Sequence, residues 1–141
     1  PTDILEALDY TQKATRHCTG MTLVFALSYG SRQEVTTAVR KMAELIEHGS
    51  LRAKDISTET ISAFLQTREM PDPDLILRTS GEKRLSNFLL WQAAYSEFSF
   101  SNKLWPDFTK EDLLLVLQDF TARDRRFGQI KALESHEQLT H

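Results

Sequence analysis

The sequence predicts an α/β fold in which a mainly parallel sheet is flanked by helices. Two short apolar runs, residues 21–28 and 75–79, have the composition of strands buried on both faces. Segments with helical signals follow both runs, and strands that alternate with helices are typical of parallel sheets with right-handed crossovers. A third strand is predicted over residues 97–101. Since sheets average about five or six strands, this small number suggests that N-terminal strands of the fold are missing from the chain.

The first two helices are predicted from apolar periodicity and end signals. Residues 3–17 carry apolar side chains at roughly helical spacing, and Gly20 follows as a stop. Ser31 and Glu34 have the spacing of a capping box, and an apolar stripe follows them as far as the terminator Gly49. The second helix is therefore expected to begin at Ser31.

Two further helices are expected before the third strand. A short one is predicted over residues 57–66, ahead of a pair of prolines that breaks the chain. Ser86 can cap another, which would hold the apolar residues as far as Tyr95.

The last helix is predicted after a second capping signature, Thr109 with Asp112, and should end near Gly128. Residues 129–141 are polar and read as a tail. The expected organisation is one domain portion, residues 1–128, followed by the tail.

Composition describes a single globular unit. The chain has 141 residues, is 40% hydrophobic and carries a net charge of −3, so nothing global favours nucleic acid as a partner. Cys18 is the only cysteine, which excludes an intrachain disulfide and fits a reducing, cytoplasmic setting. No apolar run approaches the roughly 20 residues that span a bilayer.

The strongest candidate site follows the run 75–79. Ligands of open α/β sheets bind beyond the carboxyl ends of strands, where Arg78 is expected. Gly81 allows close backbone approach, Arg84 adds a second guanidinium, and Ser86 offers a hydroxyl at a predicted helix start. These groups suit a diphosphate. The alternative is that the arginines pair with surface carboxylates such as Glu82, while Ser86 only caps a helix.

Three other features carry weaker signals. If its strand runs beside residues 75–79, Glu97 could direct a carboxylate at this loop as a Mg²⁺ ligand; otherwise it is a solvated strand residue. Residues 28–34 form a second glycine-containing turn, which should emerge on the same sheet edge or simply cap a helix. The basic cluster 123–128 is either a helix end that complements the macrodipole or an anion hook.

Several motifs together resemble a known family. SYGSR, PDLILRTSGEKRLSNFLLWQAAYSEFSF, LWPDF and RDRRFG, in this order and spacing, resemble the C-terminal half of the cis-prenyltransferases, of the undecaprenyl diphosphate synthase type. The resemblance extends over residues 1–128. It implies the fold of that family and a transferase that condenses isopentenyl diphosphate with an allylic diphosphate such as farnesyl diphosphate. The expected product is a long cis-polyprenyl diphosphate, a lipid carrier for sugars in the cell wall, and the expected cofactor is Mg²⁺.

The resemblance also implies roles for particular residues. Glu97 would help to place Mg²⁺. The family is homodimeric, and an Arg-x-Gly near the C-terminus of one subunit reaches the isopentenyl diphosphate site of the other; peripheral membrane contact would serve product release. The residues that match substrate-binding positions are Arg78, Arg84, Ser86, Arg126 and Gly128.

Parts of the family pattern are absent. The motif M-D-G-N-x-R-W, which supplies the metal aspartate and the allylic diphosphate site, does not occur in this sequence, so no catalytic residue is expected within the chain. Lys83 stands where a histidine is frequent. We therefore expect a fragment that is inactive alone. Two alternatives remain open, a noncatalytic prenyltransferase-like subunit that supports a catalytic partner and a general phosphate-binding α/β module.

Overall fold

The computed structural model describes residues 2–124, which form four α-helices and two strands. Short 3₁₀ helices occupy Ala53–Asp55, Gln92–Tyr95 and Trp105–Asp107. The main elements, in chain order, are α1 Thr2–Thr15, α2 Ser31–Glu47, α3 Thr58–Phe64, β1 Leu75–Arg78, β2 Glu97–Phe100 and α4 Lys110–Ala122.

The two strands pair in parallel, as the predicted α/β class requires. Leu75 lies opposite Glu97, and Arg78 lies opposite Phe100. The carboxyl ends of both strands therefore meet at one edge of the sheet. The run was expected to be a strand buried on both faces. Only Ile76 of the four residues in β1 is buried, and the other three are half-buried.

The prediction of a strand over residues 21–28 is wrong for this structure. The described residues form a two-stranded sheet that does not include this segment, and its side chains are exposed. An apolar run becomes a strand only where a neighbour accepts and donates its backbone hydrogen bonds. Within residues 2–124 no strand lies beside it.

The predicted helix that begins at Ser86 and continues to Tyr95 is also wrong, apart from the final 3₁₀ turn. Ser86, Asn87 and Leu89 have φ angles of 49°, 65° and 46°, in the left-handed region. A right-handed helix requires negative φ, so three such residues in close succession exclude one. The crossover from β1 to β2 is mostly irregular as a result.

Helix α4 confirms one capping prediction and corrects one boundary. The hydroxyl of Thr109 accepts from the amide of Asp112, and the carboxylate of Asp112 accepts from the amide of Thr109. The helix ends at Ala122, because Arg123 already has an extended ψ of 140°. Gly128, where the helix was expected to end, lies outside the described residues.

The buried apolar side chains of the described residues join α2, the end of α3, β1 and the 3₁₀ turn before β2. No helix among residues 2–124 combines the length and the apolar character needed to cross a membrane. The buried apolar residues are Ala38, Met42, Leu65, Ile76 and Ala93.

Candidate functional site

The candidate site is the arginine loop, residues 78–86, at the carboxyl edge of the sheet. The turn after β1 rests on the turn after β2: the amide of Ser80 donates to the carbonyl of Lys103 at 2.7 Å, and that of Gly81 to Ser101 at 2.9 Å. Ser80 and Gly81 both have positive φ, of 67° and 69°. Glycine suits the second position because its φ lies in the left-handed region. Backbone contacts thus fix the start of the loop.

Two arginines meet across this loop. Nη1 of Arg78 donates to the carbonyl oxygen of Arg84 at 2.6 Å, which closes the loop into a compact shape. Arg84 forms an ion pair with Glu82, and 65% of its side chain is exposed. The alternative of pairing with surface carboxylates is therefore found for Arg84. Among the residues that the structure describes, no carboxylate pairs with Arg78, which is half-buried.

Ser86 does not sit at a helix start. It is exposed, its φ is positive, and no helix begins there, so the predicted cap is wrong. Its hydroxyl belongs to the arginine loop by chain connectivity alone, two residues after Arg84.

A helix N-terminus does lie near the loop, but it belongs to α2. The amide of Ser31 donates to the carbonyl of Asn87 at 2.8 Å, and the amide of Arg32 donates to the Asn87 side-chain oxygen at 2.9 Å. Asn87, which is distant in sequence, therefore satisfies amides that a local capping residue normally satisfies. The start of α2 therefore contacts the residue that directly follows the arginine loop.

The predicted capping box of Ser31 and Glu34 is wrong. Gly30 is the N-cap residue, and its extended backbone precedes a helix with no side-chain cap of its own. The hydroxyl of Ser31 instead accepts from the amide of Leu90 at 3.0 Å, and Ser31 is fully buried.

Glu34, which the sequence pattern assigned to a capping box, is buried and held by other parts of the chain. It is only 2% exposed and accepts three hydrogen bonds, from the Tyr29 hydroxyl at 2.5 Å, the Gln66 amide at 2.8 Å and the Gln92 side chain at 3.1 Å. Burial, and then the hydrogen bond to Glu34, raise the pKa of Tyr29 above its ordinary value. The sequence does contain a signal for this burial, because Glu34 lies four residues before Ala38 and eight before Met42, on the buried face of α2.

Glu97 lies away from the arginine loop. It is the first residue of β2 and pairs in register with Leu75, so about 10 Å of strand separates it from the level of Arg78. Nη1 of Arg123 approaches its carboxylate at 3.0 Å and also donates to the carbonyl of Phe98. Hydrogen bonds to Asp119 and to Glu97 raise the pKa of Arg123. The expected proximity of Glu97 to the loop is not found.

The described residues do not form a metal site by themselves. Within residues 2–124, no three histidine, cysteine, aspartate or glutamate side chains come together in a way that could hold a metal ion. Glu97, the candidate ligand, is neutralised by Arg123. Arg126 and Gly128, predicted to serve a neighbouring subunit, lie outside the described residues, so their roles stay predictions.

Comparisons with known proteins agree with one another. Residues 1–128 match a prenyltransferase family model described as "Putative undecaprenyl diphosphate synthase". The isoprenyl transferase of Bacillus thuringiensis subsp. konkukian is 49% identical over 130 residues, which are 92% of this chain and 50% of that protein. The chain thus spans about half the length of the curated relatives it matches.

Solved structures show the same relationship. The crystal structure of lavandulyl diphosphate synthase from Lavandula x intermedia, in complex with dimethylallyl diphosphate, is 41% identical with a TM-score of 0.84. The alignment covers 92% of this chain and 56% of that one. A probable undecaprenyl diphosphate synthase from Campylobacter jejuni is 33% identical with a TM-score of 0.70, over 92% of this chain and 58% of the other.

Proposed function

The chain belongs to the undecaprenyl diphosphate synthase family of prenyltransferases, and we propose that it is part of an enzyme that condenses isopentenyl diphosphate with an allylic diphosphate. The product that we propose is a long cis-polyprenyl diphosphate that carries sugars for the cell wall. The observation that carries the proposal is the arginine loop, in which the backbone around Arg78 and Arg84 is closed at the carboxyl edge of a parallel sheet.

The charges of this loop suit the diphosphate of isopentenyl diphosphate. A guanidinium offers planar, bidentate hydrogen bonding to phosphate oxygens and keeps its charge at every physiological pH. Arg78 is fixed through its bond to the Arg84 carbonyl, whereas Arg84 would exchange its ion pair with Glu82 for the ligand. Ser86, exposed beside them, would add a hydroxyl donor. Preorganised cationic donors of this kind stabilise negative charge without further reorganisation.

The remaining parts of the proposal concern the second subunit, the metal, the cellular setting and the allylic substrate. We propose that Arg126 and Gly128 complete the site of a second subunit in a homodimer, and that the protein works in the cytoplasm with peripheral membrane contact. Mg²⁺ is the cofactor proposed for the whole protein, with Glu97 as one carboxylate ligand, although Glu97 is held by Arg123 in this structure. The allylic diphosphate site is assigned to residues that this chain does not contain, so the chain alone should be inactive.

Replacing the loop arginines tests the proposal. In the full-length protein that contains this chain, Arg78→Ala and Arg84→Ala should each lower kcat/KM for Mg²⁺-dependent incorporation of labelled isopentenyl diphosphate by about ten- to hundredfold, since each removes charged hydrogen bonds to the ligand. Arg52→Ala is the matched control: Arg52 is also exposed, at 68%, and also pairs with a nearby carboxylate, that of Asp55. It should leave the rate unchanged.

The same experiment separates the alternatives. Full incorporation by the Arg78→Ala protein would overturn the assignment of the site. A noncatalytic subunit would show no incorporation until a distinct catalytic partner is added, and affinity capture would return that partner rather than a second copy. A general phosphate-binding module would bind inorganic diphosphate as tightly as isopentenyl diphosphate and would show no turnover.

A further inference from the structure

We propose that Glu34 is a positioning residue: it orders residues 86–92, here termed the clamped segment, and thereby sets the shape in which the arginine loop receives a diphosphate. This inference rests on the proposed function for its ligand. Its structural half, the ordering of the clamped segment, can be measured without any substrate.

The first step is the chemistry of the Glu34 carboxylate. Both oxygens are in use: Oε1 accepts from the Gln66 amide, while Oε2 accepts from the Tyr29 hydroxyl and the Gln92 side chain. Among the described residues, no cation forms an ion pair with it. A buried carboxylate is costly unless hydrogen bonds satisfy it, so a residue with no task at this position would more simply be apolar.

The second step is the effect of Glu34 on Gln92. A carboxylate that lacks a proton can only accept, so it selects the NH₂ end of the Gln92 amide, which also donates to the Thr67 hydroxyl at 2.8 Å. The opposite end, Oε1 of Gln92, is buried without a hydrogen-bond partner in the described part of the chain. The fold therefore tolerates an unsatisfied acceptor in order to hold Gln92 in one orientation.

The third step connects Gln92 to the arginine loop. The clamped segment contains three non-glycine residues with left-handed backbone, which persist only where surrounding contacts enforce them. Helix α2 supplies those contacts at three levels: Ser31 and Arg32 bind Asn87, the Ser31 hydroxyl binds the Leu90 amide, and Glu34 binds Gln92. The segment begins at Ser86, which is the last residue of the arginine loop. Its release would therefore let Arg84 and Ser86 leave their preorganised positions.

Substitution of Glu34 in the full-length protein tests the inference. Glu34→Gln keeps the shape of the side chain but removes its charge and one of its two acceptor oxygens, so at least one of the three donors loses its acceptor. We expect KM for isopentenyl diphosphate to rise about tenfold, with a smaller change in kcat, because the ligand is held less well rather than activated less well. Hydrogen exchange measured without substrate should become faster in peptides that cover residues 86–92.

Three further variants make the result decisive. Glu34→Asp retains the carboxylate and should recover part of the affinity. Tyr29→Phe removes a single donor and should shift KM and exchange in the same direction by less, which keeps the test valid if Glu34→Gln does not fold. Glu44→Gln, an exposed carboxylate on the same helix, should match the unmutated protein.

Failure of this inference and failure of the proposed function look different. Unchanged KM and unchanged exchange in Glu34→Gln would overturn the positioning role. A fall in kcat with no change in KM would overturn it as well, because the loop would then still bind normally. Absence of turnover by the unmutated protein would instead overturn the proposed function, while the exchange measurement would still decide whether Glu34 orders the clamped segment.

Discussion

Asp112 shows at the scale of one residue how the support of the arginine loop is built. Its carboxylate accepts from Lys103 Nζ at 2.7 and 2.8 Å and from the Thr109 amide at 2.8 Å, while the carbonyl of Lys103 accepts from the amide of Ser80. The bonds from Lys103, followed by the bond from the Thr109 backbone, lower the pKa of Asp112 from 3.8 to about 2. One side chain therefore caps α4 and braces the turn behind the loop.

The lowered pKa of Asp112 predicts a pH dependence of stability. A carboxyl whose pKa is lower in the folded state stabilises the fold above its ordinary value of 3.8, and that contribution is lost as the pH falls through about 2. Asp112→Asn should therefore be less stable than the unmutated protein at neutral pH, and the difference should shrink across this acid range. Urea unfolding at a series of pH values measures it.

Removal of the cation provides the companion measurement. Lys103→Met deletes the first cause of the shift, so its stability should depend less on pH in the same range while the bond from Thr109 remains. If the stabilities of Asp112→Asn and of the unmutated protein changed with pH in parallel, the lowered pKa of Asp112 would not be the cause of the pH dependence.

At the scale of an element, the start of α2 depends on Asn87 from another part of the chain. Asn87 satisfies two amides of the first turn and adopts a left-handed φ of 65°, a conformation in which asparagine is tolerated better than most residues. A single residue thus serves both the helix and the irregular crossover.

Two substitutions at Asn87 separate these contributions. Asn87→Ala loses the side-chain cap and also strains the backbone, so the free energy of unfolding should fall by about 2 kcal/mol. Asn87→Gly loses the cap but accepts the left-handed backbone, so the fall should be only about 1 kcal/mol. Denaturant unfolding of the full-length protein measures both. An alanine variant as stable as the glycine variant would show that backbone conformation contributes nothing.

Sequence patterns correctly predicted the elements whose determining residues lie close together in the sequence. Helix α4 was recognisable because Thr109 and Asp112 cap it within one turn, and β1 because its apolar run delivers Arg78 to the carboxyl edge of the sheet. The helix from Ser86 was predicted in error, because contacts with α2, more than 50 residues earlier, impose positive φ on an otherwise helical pattern.

Prediction of the site was limited in the same way. Arg78 and Arg84 were found from strand position and residue type. Glu34 was assigned to a capping box because its spacing from Ser31 fits one, whereas its real partners lie 32 and 58 residues away for Gln66 and Gln92. Only tertiary structure distinguishes a carboxylate that caps a helix from one that is buried beside it.

At the scale of the whole molecule, the main feature is an uncovered apolar surface around residues 21–27. This segment, which has no regular secondary structure, lines a cavity of about 700 Å³ together with Leu8 of α1. Part of it, residues 24–27, also lines a cavity of about 400 Å³ with Met70 and Phe88. Leu23 and Phe25 are 66% and 60% exposed. A contiguous apolar surface of this kind promotes association and binds apolar dyes, whereas single exposed apolar residues do not.

Two matched substitutions test whether association depends on this contiguous apolar surface or on the total number of exposed apolar side chains. Leu23→Ser should lower the fluorescence of bound anilinonaphthalene sulfonate and slow the aggregation of the 141-residue chain, because it interrupts the apolar lining of the larger cavity. Leu5→Ser is the matched control, since Leu5 is also 66% exposed but lines neither cavity. Equal effects of the two changes would mean that total apolar exposure, not the contiguity of residues 21–27, governs association. A larger effect of Leu23→Ser would locate the association surface on the segment that the parallel sheet leaves unpaired.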